Sequence, residues 1–170
     1  MTTKNTTSKA QAAFEKAVKP MAKPSANRAT SHMPSQHLPE RWFLVDVEGK
    51  IMGRAATKIA KLLMGKDHPA FNPGVDAKTN VIVINADKVK LSGNKMEGNT
   101  YYKHTGYLGG IRETTPAKIL EGKKPTDLVT RMVYGMLPKN KLRHVMMNRL
   151  RVFVGTEHPH NGQNPVIITL

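Results

Sequence analysis

From Lys139 to Arg151 the chain places five cations, Lys139, Lys141, Arg143, Arg149 and Arg151, and no acid. With no carboxylate along the segment to neutralise them, the chemistry these residues offer is attraction of an external anion, and phosphate is the obvious one. Arg54, Lys58 and Lys61 repeat the theme at i, i+4 and i+7, one face of a helix. A third set lies in Tyr101-Tyr-Lys-His-Thr-Gly-Tyr-Leu-Gly-Gly-Ile-Arg112, where rings, cations and glycines occur together. Rings stack on bases, cations meet phosphates, and glycines let one backbone approach another; these are the materials of RNA binding. Each set also has a plain structural reading. The basic faces would simply be solvated, and the third set would be an edge strand with half-buried tyrosines and a mobile loop.

Other chemistries find no constellation. The turn Asp46-Val-Glu-Gly49-Lys-Ile-Met-Gly53-Arg54 precedes a helix, but it lacks both the G-x-G-x-x-G spacing of a dinucleotide site and the GK[ST] ending of a P-loop. No cofactor is expected there, although a helix N-terminus beside Arg54 suits a nucleic-acid phosphate. His158-Pro-His160 is the only close histidine pair; with no cysteine in the chain and only Glu157 nearby, it reads as surface loop and not as a zinc site. Asp46, Asp76 and Asp87 fall in no spaced metal motif, and Asp46 and Asp87 are explained as caps and turns at strand ends. No serine occupies a G-x-S-x-G elbow. The sequence therefore predicts no catalytic residue, no metal and no enzyme.

The elements that must position the basic sets follow from periodicity. Trp42 to Val47 is a buried strand, Glu48-Gly49-Lys50 a turn, and a helix opens near Gly53 with Ala56, Ile59, Ala60 and Leu63 as its packing stripe and Gly65 as its C-cap. After a Pro- and Gly-containing loop, Lys66 to Lys78, the run Asn80-Val-Ile-Val-Ile-Asn-Ala-Asp87 carries four consecutive β-branched residues, the pattern of a parallel strand buried on both faces. Strand, helix, strand implies a right-handed βαβ unit. Asn99 to His104 reads as an edge strand, and Thr105 to Gly110 as a flexible loop. Thr115-Pro116 opens a short helix, and another starts near Pro125 with Leu128, Val129, Met132, Val133 and Met136 packing inward. Pro138 stops it. A fresh helix from about Lys139 gathers Leu142, Val145, Met146 and Leu150 on one side and Lys141, His144, Asn148 and Arg151 on the other. Arg151 to Val154 is then a strand, residues 155–165 a loop, and Val166 to Thr169 a last edge strand.

The whole chain leans basic, +15 over 170 residues. That favours a polyanionic partner, nucleic acid or an anionic membrane surface. Aromatic residues make up only 5%, so backbone recognition outweighs base stacking. No run reaches the roughly 20 apolar residues of a membrane span. Residues 1–39 differ from the rest: rich in Thr, Ser, Ala, Lys and Pro, they read as a basic, low-complexity, disordered extension, with Thr7 to Val18 able to form a short helix on a partner. Such a composition also describes an organelle transit peptide, though those favour Arg and this extension has only Arg28. Residues 40–170 form one domain.

Taken in order, the motifs resemble one family. Trp42 to Val47 with Gly49-Lys50 and Gly53-Arg54-Ala55-Ala56; Asn85-Ala-Asp-Lys-Val89 with Ser92-Gly-Asn-Lys95; Tyr101-Tyr-Lys-His-Thr-Gly106 with Gly109-Gly-Ile111; Gly135-Met-Leu-Pro-Lys139; and Arg151-Val-Phe-Val-Gly155 with Glu157, His158 and His160 are similar to the bacterial form of large-subunit ribosomal protein L thirteen, from about Arg41 to Thr169. The resemblance implies a three-layer α/β/α fold around a small, mostly parallel sheet, and a structural, non-catalytic role bound to large-subunit ribosomal RNA among neighbouring ribosomal proteins. It further implies action early in subunit assembly and, as a secondary expectation, messenger RNA binding that lowers translation. It puts Tyr102, Lys103, His104, Thr105, Gly106, Gly109, Arg112, Lys139, Lys141 and Arg143 at the RNA, beside the cations Arg54, Lys58, Lys61, Arg149 and Arg151 read from the charge pattern. The expected location is the cytoplasmic ribosome, with a mitochondrial or plastid ribosome as the alternative because of the long extension. Two readings from other classes are a nucleotide-binding α/β enzyme, which would need a phosphate-binding glycine fingerprint, and a basic peripheral membrane-binding protein, which would need bulky apolar residues on one face of the extension.

Overall fold

The computed structural model describes residues 34–169. The basic extension up to residue 33, including Thr7 to Val18, where a short helix on a partner is expected, lies outside the described residues. Just before the domain, Ser35–His37 makes a single 3-10 turn, and the Ser35 hydroxyl donates to the Asp76 carbonyl at 3.1 Å.

The chain then forms β1 (Arg41–Asp46), α1 (Met52–Met64), β2 (Thr79–Ile84), a four-residue helix α2 (Lys95–Gly98), β3 (Tyr101–His104), β4 (Ile111–Thr114), α3 (Pro116–Leu120), α4 (Thr126–Met136), α5 (Leu142–Asn148), β5 (Leu150–Val152) and β6 (Val166–Ile168). This is the mixed α/β class expected. Four strands make one sheet in the order β5-β2-β1-β6, every neighbour parallel. The β-branched run of β2 is buried from Thr79 to Val83 because it has a strand on each side.

Alternation then sorts the faces. Phe43, Val45, Val81, Val83, Leu150 and Val152 share a face with the apolar stripes of α1, α4 and α5, including Ala56, Ile59, Leu63, Val129, Val133 and Met146. Fully burying each of the larger of these side chains stabilises the fold by about 1.5–3 kcal/mol. On the other face the Trp42 ring lies 5.4 Å from that of His160, and Phe153 lies 5.9 Å from His160 and 6.4 Å from His158. The histidine pair thus packs against aromatic rings.

Gly65 caps α1 as expected, at φ 75°. A Cβ there would come within 2.3 Å of the Ala77 Cβ, so the close return of the 66–78 loop, as well as the left-handed backbone, requires glycine.

Three sequence expectations change. The last helix is shorter than its periodicity suggested: it begins at Leu142, not Lys139, and Leu150 and Arg151 leave it for β5. Leu150 pairs with Val81, so its burial comes from a strand; parallel pairing on β2 outweighs one more helical turn. Residues 101–104 form an edge strand as expected, but in a separate two-stranded ribbon, paired antiparallel with β4, which the sequence reading left unassigned. Met136 and Val145, read as packing residues, are exposed.

Candidate nucleic-acid interface

On α1 the alanines, Ile59, Leu62 and Leu63 face the core, which turns Arg54, Lys58 and Lys61 outward, all exposed. The 3.6-residue period makes the one face a consequence of the other. Among the described residues, no hydrogen bond or ion pair holds these three side chains.

The ribbon places Tyr101 opposite Thr114, Tyr102 opposite Glu113, Lys103 opposite Arg112, and His104 opposite Ile111. Its inner side rests on α4 through Tyr101, whose ring lies 5.6 Å from the Arg131 guanidinium. Tyr102, Lys103, His104 and Arg112 are exposed. The turn at its tip is closed by its own bonds instead of being slack. Thr105 N–H donates to Gly110 O and Gly110 N–H to Tyr107 O, each at 2.9 Å, while the Thr105 hydroxyl also donates to Gly110 O at 3.2 Å. Gly106 N–H donates to His104 Nδ1 at 2.9 Å. Gly106 and Gly109 take φ of 92° and 71°, and a Cβ on Gly110 would lie 2.0 Å from the Thr105 hydroxyl. The result is a shaped, solvent-facing tip with Tyr107 and Leu108 standing free.

The five cations after Gly135 separate into two kinds. Lys139 and Lys141 are exposed and carry no partner among the described residues; Arg151 is exposed, with Nη1 donating to Asn148 O. Arg143 turns back onto its own chain: Nη2 donates to Leu137 O at 2.8 Å, Nε to Pro138 O at 2.9 Å, and the guanidinium lies 4.5 Å from the centre of the Tyr134 ring. Arg149 is half-buried and paired with Asp76, so its charge is spent inside the fold. The sequence could not show this because Asp76 is 73 residues away.

Among the described residues the ion pairs are Arg41–Asp67, Lys88–Glu48 and Arg149–Asp76. The basic surplus is therefore left to solvent or to a partner. The carboxylates have structural work. Asp46 accepts from Asn85 Nδ2 at 2.8 Å and from Glu48 N–H at 3.0 Å, and these bonds hold its carboxyl below the usual carboxylate range. They also fit Asn85 to its left-handed backbone, φ 59°. No cluster of three potential metal ligands occurs among the described residues, and none of their helices is long and apolar enough to cross a membrane. A partly open hollow between Leu38, Met64, Phe71 and Ala77 offers about 10 Å³, too little for a nucleotide.

The family model described as Ribosomal protein L13 matches residues 40–159. Similar curated proteins are named large ribosomal subunit protein uL13. The one from Syntrophotalea carbinolica is 49% identical over 131 residues, 77% of this chain and 92% of the relative. That from Desulfotalea psychrophila is 44% identical over 137 residues, 81% and 96%. That from Clostridioides difficile is 51% identical over 128 residues, 75% and 89%.

Proposed function

Because the chain belongs to the ribosomal protein L13 family, we propose that it is a structural, non-catalytic constituent of the large ribosomal subunit that binds large-subunit ribosomal RNA through cations its own fold leaves uncompensated. The observation that carries this is the contrast, among the described residues, between three internal ion pairs and the exposed, partnerless Arg54, Lys58, Lys61, Lys103, Arg112, Lys139 and Lys141. Many modest phosphate contacts mounted on a small rigid core are what a folded RNA surface requires. Arg151 extends the set from β5. The ribbon tip, with Tyr102, His104, Thr105, Gly106 and Gly109, adds shape: its turn is already closed, so little ordering is left to do on binding. The protein acts in the cytoplasm, docking early in subunit assembly beside neighbouring ribosomal proteins. Off the ribosome the same cations would accept messenger RNA.

Sedimentation of the native protein through a sucrose gradient, with intact-mass analysis of the fractions, tests the reading. Comigration with large subunits and their precursors is the expected result. Comigration with membranes, or with free messenger RNA alone, would overturn it.

A further inference from the structure

Pro138 ends α4 and leaves a problem in the connection to α5. Leu137 is extended, φ −81° and ψ 149°, so the Leu137 carbonyl has no following helical turn to supply a donor, while the Pro138 carbonyl accepts from Asn140 N–H at 2.9 Å. Arg143 supplies the Leu137 carbonyl through Nη2, adds Nε as a second donor to the Pro138 carbonyl, and sets its guanidinium 4.5 Å from the centre of the Tyr134 ring of α4. Its backbone is tied to the same turn, because Arg143 N–H donates to Asn140 Oδ1 at 3.1 Å and Asn140 O at 3.2 Å. One residue thereby fastens the end of α4, the connection and the start of α5 together. Lys139 and Lys141 flank Asn140 in that fastened turn, exposed and without partners among the described residues.

We propose that Arg143 is a positioning residue: it holds the 137–141 turn in the shape that presents Lys139 and Lys141 to RNA, instead of donating its own charge to a phosphate. This rests on the rRNA-binding reading above. The chemistry of the clamp is specific to arginine. A planar fork can reach two carbonyls while stacking on a ring; an ammonium on a flexible stem keeps the charge but can do neither well. Without the clamp, each binding event must first order two lysines and their backbone.

The test measures affinity for large-subunit rRNA across a salt series, on variants of the full chain whose folding is verified by circular dichroism and thermal unfolding. Lys139→Ala with Lys141→Ala is expected to make the salt slope shallower by about two. Arg143→Lys, with its charge intact, is expected to lose about tenfold in affinity, as much as Arg143→Ala, the order reached when two phosphate contacts loosen. Arg143→Ala added to the double lysine variant should cost less than about twofold more, since there is nothing left to position. Tyr134→Leu, which removes the ring and no charge, should weaken binding in the same direction and supplies a second route should the Arg143 variants fold poorly. Wild-type affinity in Arg143→Lys, with the slope falling by about one in Arg143→Ala in either background, would overturn the positioning role and make Arg143 a phosphate contact while leaving the rRNA reading intact. An unchanged slope in the double lysine variant would overturn both for this turn.

Discussion

Lys103 lies directly opposite Arg112 across the antiparallel ribbon of β3 and β4. Like charges in that position destabilise a strand pair, and a ribbon of two strands is marginal to begin with. Neither residue has an acidic partner among the described residues, and Glu113 projects with Tyr102 from the other face. The arrangement is costly in isolation and becomes favourable when an anion lies across both side chains.

Reversing one member of this pair separates stability from binding. Arg112→Glu should pair with Lys103 and leave the melting temperature equal or slightly raised, while rRNA affinity falls by at least about tenfold through loss of one attraction and gain of one repulsion. Thermal unfolding and filter binding on the same preparation check this. A melting temperature lowered together with affinity would mean that Arg112 supports the ribbon itself.

Arg149 should behave in the opposite way. Removing its side chain leaves Asp76 half-buried and unpaired, so Arg149→Met is expected to cost about 2–4 kcal/mol in urea unfolding, and Asp76→Asn in the same chain should restore part of it. The salt slope of rRNA binding should stay at the wild-type value. A slope shallower by about one would place Arg149 at the RNA.

Asp46 makes stability depend on acid. Its folded carboxyl titrates below its unfolded value because the ionised form accepts from Asn85 and Glu48. The contribution is therefore complete above the unfolded value, about 4, and is lost as pH falls through the folded one. Asp46→Ala should be less stable than wild type at pH 7, and the two unfolding curves should converge as the pH falls through the folded carboxyl's lowered titration range. A constant difference across that range would show that the hydrogen bonds do not depend on ionisation.

Some features were legible because their cause is local. The Ala56, Ile59, Ala60, Leu63 stripe and the outward Arg54, Lys58, Lys61 are two sides of one helical period, and the all-apolar β2 run announced a strand covered on both faces. The proline at 138 marked the end of α4 from composition alone. Misreadings arose where a residue's partner is distant. The pattern through Leu150 continues a helix as well as it begins a strand, and only the pairing with Val81 decides between them. Ile111 to Thr114 is too short and polar to signal a strand until Tyr101 to His104 lies against it.

The order of residues by itself determined an α/β domain built around a buried parallel strand, a chain whose cations outnumber its acids, and the absence of any spaced catalytic or metal motif. The tertiary structure decided which of those cations are free. Lys139, Lys141, Arg143 and Arg149 carry the same charge within eleven residues of one another, yet Arg149 is neutralised by Asp76 and Arg143 is bound to carbonyls of its own turn, leaving the two lysines open. The reason is physical: periodicity along a chain reports which way a side chain tends to face, whereas neutralisation depends on what the fold brings within hydrogen-bond reach, and that reach is about 3 Å in space whatever the separation in sequence.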